Sequence, residues 1–120
     1  MQLSDASLLK NQAYIDGQWV DADDGATFAV TNPVDGALIT EVAKAGAQET
    51  ARAIAAAQRA MRDWARQPAK ARANVLRKWF DLMMQHQEDL AIIMTAEQGK
   101  VLAESRGEIA YGAAFVEWFG

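Results

Sequence analysis

The sequence predicts a small antiparallel β meander followed by three α-helices, and three observations carry that reading. The dipeptides Asp16-Gly17 and Asp35-Gly36 each separate runs rich in Tyr, Ile, Trp, Phe, Val and Leu, which is hairpin composition around turn residues. After Gly46 the apolar spacing lengthens from two to three and four residues, the period of a helix. Pro68 and Gly99 then divide the helical part into three, because proline cannot continue a helix and glycine readily ends one.

Taken in order, residues 1–12 are polar and read as an arm or a short helical turn, with Leu8 and Leu9 as the one adjacent apolar pair. Residues 13–45 hold the meander. "AYIDGQWV" forms its first hairpin, "DADDGAT" is turn chemistry, and Asn32-Pro33 ends the strand carrying Phe28 and Val30, since proline has no N–H for the ladder. Leu38 to Val42 is the last strand. A helix over 48–66 places Ile54, Ala57, Met61 and Trp64 on one face. Pro68 opens the next helix, where its missing N–H costs little. That helix, 69–98, carries Leu76, Trp79, Phe80, Met83, Leu90, Ile93 and Met94 as its buried stripe. Its length exceeds the usual globular helix and points to packing against more protein than 120 residues supply. Gly99 fits the left-handed position that closes it. A third helix, 101–119, faces inward with Leu102, Ile109, Ala113, Val116 and Phe119. The apolar ending "FVEWFG" reads as a chain cut off inside a larger fold. The expected division is an arm, 1–12, and one part-domain, 13–120.

Composition narrows function. Twelve basic and sixteen acidic residues give a net charge of −4, which argues against a nucleic-acid footprint. Lys70, Arg72, Arg77 and Lys78 cluster locally and read as a solvated helix face. The chain has no cysteine, which excludes a disulfide framework, thiolate metal sites and a cysteine nucleophile within these residues. The first dozen residues lack the basic and apolar regions of a secretion signal, and no apolar run reaches membrane-spanning length. The cytoplasm is the expected compartment.

The candidate chemical groups have bland readings. His86 stands alone between Gln85 and Gln87, with no partner that would make it a base or a metal ligand. Lys100 follows Gly99, but no phosphate-loop pattern surrounds it; it suits the negative end of a helix. Glu104 and Glu108 share a helix face and repel mildly, with Arg106 near enough to screen them. Glu88 and Asp89 are adjacent and point in different directions. The spacing of Trp64, Trp79, Phe80, Phe115, Trp118 and Phe119 fits helical core stripes. Trp118 and Phe119 are neighbours, however, so one of them must meet another surface. Residues alone assign no catalytic, cofactor-binding or metal-binding position.

The order of motifs says more. "YIDGQWV", "VTNPVDGALI", "AIAAAQRAMRDWA", "ARANVLRKWFDLMMQHQEDLAIIMTAEQGK" and "LAESRGEIAYGAAFVEWF" together resemble the N-terminal part of the NAD(P)-dependent aldehyde dehydrogenase superfamily. Within it they are most similar to bacterial succinate-semialdehyde dehydrogenases. The resemblance runs from about Leu8 to Gly120 and rests on the "TNP…G" turn and the "E-x-G-K" junction. It implies an α/β fold with a Rossmann-type cofactor domain, of which this segment is the scaffold edge. It also implies NAD or NADP as cofactor, a small aldehyde as substrate, and homo-oligomers or self-association through helix faces, without nucleic acid or membrane. The family's catalytic cysteine, general-base glutamate, oxyanion-hole asparagine and cofactor lysine match no position here. The isolated chain is therefore expected to be inactive and to bind no cofactor. Some relatives hold a monovalent cation at positions matching Val30, Thr31 and Glu97; the acid is usually aspartate, and Glu97 departs from that pattern. Val101 stands where the family usually has proline. The alternative reading is a stand-alone helical interaction module that docks its C-terminal apolar helix on a partner.

Overall fold

Turn chemistry places four strands in the first third of the chain, and the computed structural model describes residues 1–120. Strand β1 (Ala13–Ile15) pairs antiparallel with β2 (Gln18–Val20), with Ile15 opposite Gln18. The two-residue connection has both residues left-handed, Asp16 at φ 53° and Gly17 at φ 80°, the mirror-image turn that matches strand twist. Strand β3 (Thr27–Thr31) pairs antiparallel with β4 (Leu38–Ala43) from Thr27 opposite Ala43, with a bulge between Val30 and Thr31. The tip is fastened by its own side chains: Asn32 Oδ1 accepts the Val34 N–H and Asp35 Oδ1 accepts the Ala37 N–H, each at 2.9 Å.

The strands form two separate two-stranded sheets, not the single meander expected over 13–45. The cause lies in the segment between β2 and β3. The Asp23 N–H is captured by Glu49 at 2.8 Å. Gly25, left-handed at φ 70°, donates back to the Ala22 carbonyl at 2.9 Å. The chain is thereby turned off the β2 edge before it can pair.

Four helices follow: α1 (Ala47–Arg66), α2 (Ala69–Gln85), α3 (Gln87–Gln98) and α4 (Leu102–Phe119). The expected continuous helix 69–98 is divided at His86, whose backbone sits at φ −102° and ψ 15°. Its N–H still bonds the Leu82 carbonyl, and its own carbonyl accepts from Leu90, both at 3.0 Å, so the axis breaks with few bonds lost. Glu88 and Asp89 occupy the first turn of α3, where negative charge favours a helix start. Pro68 caps α2 from just outside. Gly99 ends α3 in the left-handed conformation at φ 70°.

By packing, the chain divides into two compact units. One comprises Lys10–Thr31 and Leu38–Gln67; the other comprises Met1–Leu9, Asn32–Ala37 and Pro68–Gly120. In the first unit, α1 turns a small-residue face inward, with Glu49 and Ala56 buried, and Ala53, Ala56 and Ala57 lie against Tyr14 to Gly17. On the face that carries Ile54, Met61 and Trp64 all three are exposed, so Trp64 does not enter the core stripe assigned to it. In the second unit α4 packs on α2 and α3. Ala91, Ser105 and Ala113 are fully buried, and residues this small let helix axes approach closely.

Candidate functional site

Two hydrogen-bonded junctions each gather several polar side chains. The first is built on Glu49, in the opening turn of α1. Its Oε1 accepts the Asp23 N–H at 2.8 Å and its Oε2 accepts the Gly46 N–H at 2.9 Å, one half of a capping box. Asp23 in turn takes a two-pronged contact from Arg52, at 2.7 Å on each oxygen. The Asp23 N–H, with those of Glu49 itself and Gly46, holds the Glu49 carboxyl below the usual carboxylate range. Hydrogen bonding to Arg52 lowers Asp23 likewise.

The second junction is "TAEQGKVLAESRGEI", where α3 turns into α4. Gly99 is needed twice over. Its φ is positive, and a Cβ there would meet Pro33 Cγ at 2.9 Å and Val34 Cγ2 at 3.4 Å, so the "TNP" turn closes on the "GK" junction within one unit. Thr95 Oγ1 and Ser105 Oγ lie 2.8 Å apart, pinning α3 to α4 across the turn. Val101 holds the extended conformation φ −71°, ψ 141° just before α4. Lys100 lies between the two acids of the first α4 turns, hydrogen-bonded to Glu108 and 3.8 Å from Glu104. Lys100, and not Arg106, therefore relieves the repulsion between those acids. Arg106 is engaged elsewhere, with its Nε and terminal nitrogen each 2.7 Å from Glu88. Hydrogen bonding to Glu108 pushes the Lys100 ammonium up, and hydrogen bonding to Arg106 holds Glu88 down.

These directions bear on chemistry. Acid–base catalysis needs pKa values drawn toward neutrality, and a nucleophilic lysine needs its own lowered. Here Asp23, Glu49, Glu88 and Lys100 are each driven further into their ionised forms. The groups fasten elements together through these contacts.

The remaining sequence candidates are dispersed. His86 is half-buried at the α2–α3 break. Glu88 and Asp89 diverge as expected: the first reaches Arg106, and the second accepts the Ser4 and Asp5 N–H groups at 2.9 and 2.8 Å. That second role was missed, because nothing in the local spacing around Asp89 announces a partner 85 residues away. Val30 and Thr31 belong to one unit and Glu97 to the other. Arg77 pairs with Glu117 at 2.6 Å and lies over the Phe80 ring, so the basic cluster is not merely solvated. Of the aromatic residues assigned to core stripes, Trp64, Trp79, Phe115, Trp118 and Phe119 are exposed, and only Phe80 turns inward.

A dinucleotide site needs a parallel βαβ unit with a glycine-rich turn onto a helix N-terminus. Both sheets here are two-stranded and antiparallel, and no such turn leads into any of the four helices. No helix is long and apolar enough to cross a membrane.

Comparison with known proteins supplies what the side chains do not. Residues 19–120 match the Aldehyde dehydrogenase family. A glutarate-semialdehyde dehydrogenase of Pseudomonas aeruginosa (strain PAO1) is 60% identical over 120 residues, which is all of this chain and 25% of that protein. The NADP(+) succinate-semialdehyde dehydrogenase of Escherichia coli (strain K12) is 54% identical over 99% of this chain and 25% of its own length. A solved succinate-semialdehyde dehydrogenase from Burkholderia pseudomallei superposes with a TM-score of 0.96 at 54% identity, covering 98% of this chain and 24% of that one. The chain therefore spans about a quarter of the length of the relatives it matches. With the family match covering most of its residues and the hairpin-and-helix architecture superposing on solved members, this chain belongs to the aldehyde dehydrogenase family.

Proposed function

We propose that this chain is the N-terminal scaffold of the cofactor-binding domain of an NAD(P)-dependent aldehyde dehydrogenase, and that the enzyme oxidises the semialdehyde of a dicarboxylic acid, with succinate semialdehyde converted to succinate. The observation that carries this is whole-chain identity of 54–60% to semialdehyde dehydrogenases. Nothing in the comparisons favours the stand-alone interaction module. In the reaction the aldehyde loses two electrons as hydride to NAD or NADP, and water supplies the second carboxylate oxygen. The part played by these residues is to hold hairpins and helices in place around that chemistry. No thiol is available among them to attack the aldehyde, so the 120 residues alone are inactive. The enzyme works in the cytoplasm as a homo-oligomer.

The test is an exchange of parts. Replacing the matching quarter of the Escherichia coli enzyme with this chain should give a chimaera that retains NADP-linked oxidation of succinate semialdehyde, while the 120 residues alone give none. A chimaera that folds and assembles but turns nothing over would reject the scaffold role, as would turnover by the isolated chain. The substrate is tested separately, by kcat/KM for succinate against glutarate semialdehyde in the enzyme that carries this segment. A preference for glutarate semialdehyde would move the assignment to the longer substrate.

A further inference from the structure

Asp89 is a carboxylate only 4 % exposed, and its partners are unusual. Both are backbone N–H groups of the N-terminal arm: Ser4 donates to Oδ1 at 2.9 Å and Asp5 to Oδ2 at 2.8 Å. One carboxylate thus grips two consecutive peptide units, and bonds of this kind are shorter and stronger than neutral ones.

We propose that Asp89 is the latch of a releasable strap formed by residues Met1–Leu9. The strap carries its own local structure. Asp5 Oδ1 accepts the Ser7 N–H at 2.9 Å, and Ala6–Leu8 form a single tight turn closed by the bonds Leu8 N–H to Asp5 and Leu9 N–H to Ala6. Its apolar anchors, Leu3, Leu8 and Leu9, are only half-buried. Helices α3 and α4 also meet directly, packed on each other and joined by the Thr95–Ser105 hydroxyl contact at 2.8 Å. The strap therefore leaves without dismantling the helices. The carboxylate tolerates either state, because Asp89 lies in the first turn of α3. There the positive end of the helix and incoming water take over from the two lost N–H groups. Local opening of this kind has its own free energy, below that of global unfolding.

Hydrogen-exchange mass spectrometry on the full chain reads the latch, using Asp89→Ala and, from the other side, Ser4→Pro, which deletes a donor without touching α3. Both variants should speed exchange over residues 1–9 by at least about tenfold, since a charge-assisted bond contributes that much or more, while peptides from α3 and α4 exchange as before. Unchanged protection of residues 1–9 in Asp89→Ala overturns the proposal, because the leucines then hold the strap. If Asp89→Ala also loosens α3 and α4, Ser4→Pro decides. Selective release of residues 1–9 in that variant upholds the latch, and retained protection rejects it.

Discussion

Helix α4 has two apolar faces, and they behave oppositely. The inward face, Leu102, Ser105, Ile109, Ala113 and Val116, is half-buried or fully buried. The outward face, Tyr111, Ala114, Phe115 and Trp118, lines an open apolar groove of about 380 Å³, and Trp118 is 83% exposed. The fully buried positions, Ser105 and Ala113, are small, and the large aromatics lie outside, the reverse of an ordinary core. Helix α1 repeats the pattern, with Ala56 buried while Ile54, Met61 and Trp64 face out. Size therefore reports on how near the neighbour is. Close helix crossings within the chain select Ala and Ser, and the large side chains belong to surfaces that nothing in these 120 residues covers.

The sharpest way to break this comparison is to enlarge a residue on the inward face. Ala113 has no exposed surface, and α4 packs on both α2 and α3. Ala113→Leu should cost about 3 kcal/mol by overpacking, read as a fall in the urea midpoint. A cost below about 0.5 kcal/mol, the range of a surface substitution, would show that the crossing is loose and that size says nothing about proximity.

Gly99→Ala comes next. The left-handed backbone costs a non-glycine residue about 1–2 kcal/mol, and the new Cβ meets Pro33 at 2.9 Å. The expected loss is about 2 kcal/mol. A compensating Pro33→Ala should recover the steric part and leave the backbone part, and no recovery would place the whole cost in φ.

The charged junctions sharpen the comparison through pH. The folded pKa values of Asp23, Glu49 and Glu88 are depressed. Each therefore contributes stability that is present above its unfolded value, about 4 for a carboxylate, and that fades as pH falls through the folded value. Lys100 is raised, so its contribution is complete below the unfolded value of about 10.4 and fades as pH climbs through the folded one. The urea midpoint should be flat near neutrality and drop at both extremes. Glu49→Gln should flatten the acid limb more than Glu88→Gln, because Glu49 is buried and bonded to backbone on both oxygens. Equal effects would mean that the Glu49 junction is no more than another surface pair.

The contrast also explains what was legible. Turn chemistry found both hairpins and Gly99, because Asp-Gly and a left-handed glycine are local signals. The helical period found α1 and the inward face of α4. The period could not choose between two apolar faces, so Trp64 and Phe119 were placed in a core they do not enter. The break at His86 lacks proline or glycine, and its one trace is the acidic pair Glu88-Asp89 just beyond it. Contacts such as Asp89 with Ser4, Glu49 with Asp23 and Arg106 with Glu88 join residues 18 to 85 positions apart, and no local pattern encodes such partners. The family signal was legible because it resides in the order of many short motifs, which survives when no single residue carries chemistry.

The smallest expected effect falls on the outward face. Trp118→Ser removes a large ring that is already mostly in water, so the transfer term that dominates core truncations is nearly absent. Stability of the isolated chain should change by less than about 0.5 kcal/mol. Solubility should rise, because the ring adjoins Phe115 and Phe119 in one exposed apolar patch, and such patches drive association. Concentration-dependent light scattering reads the second effect independently of the first. The same substitution in a full-length enzyme carrying this segment should behave differently, because there the groove is expected to be filled and the ring buried. A loss of several kcal/mol in the long protein beside near-neutrality in the short one would show that the face is completed by residues outside this chain. Near-neutrality in both would leave the aromatic face a true surface and would detach residue size from proximity after all.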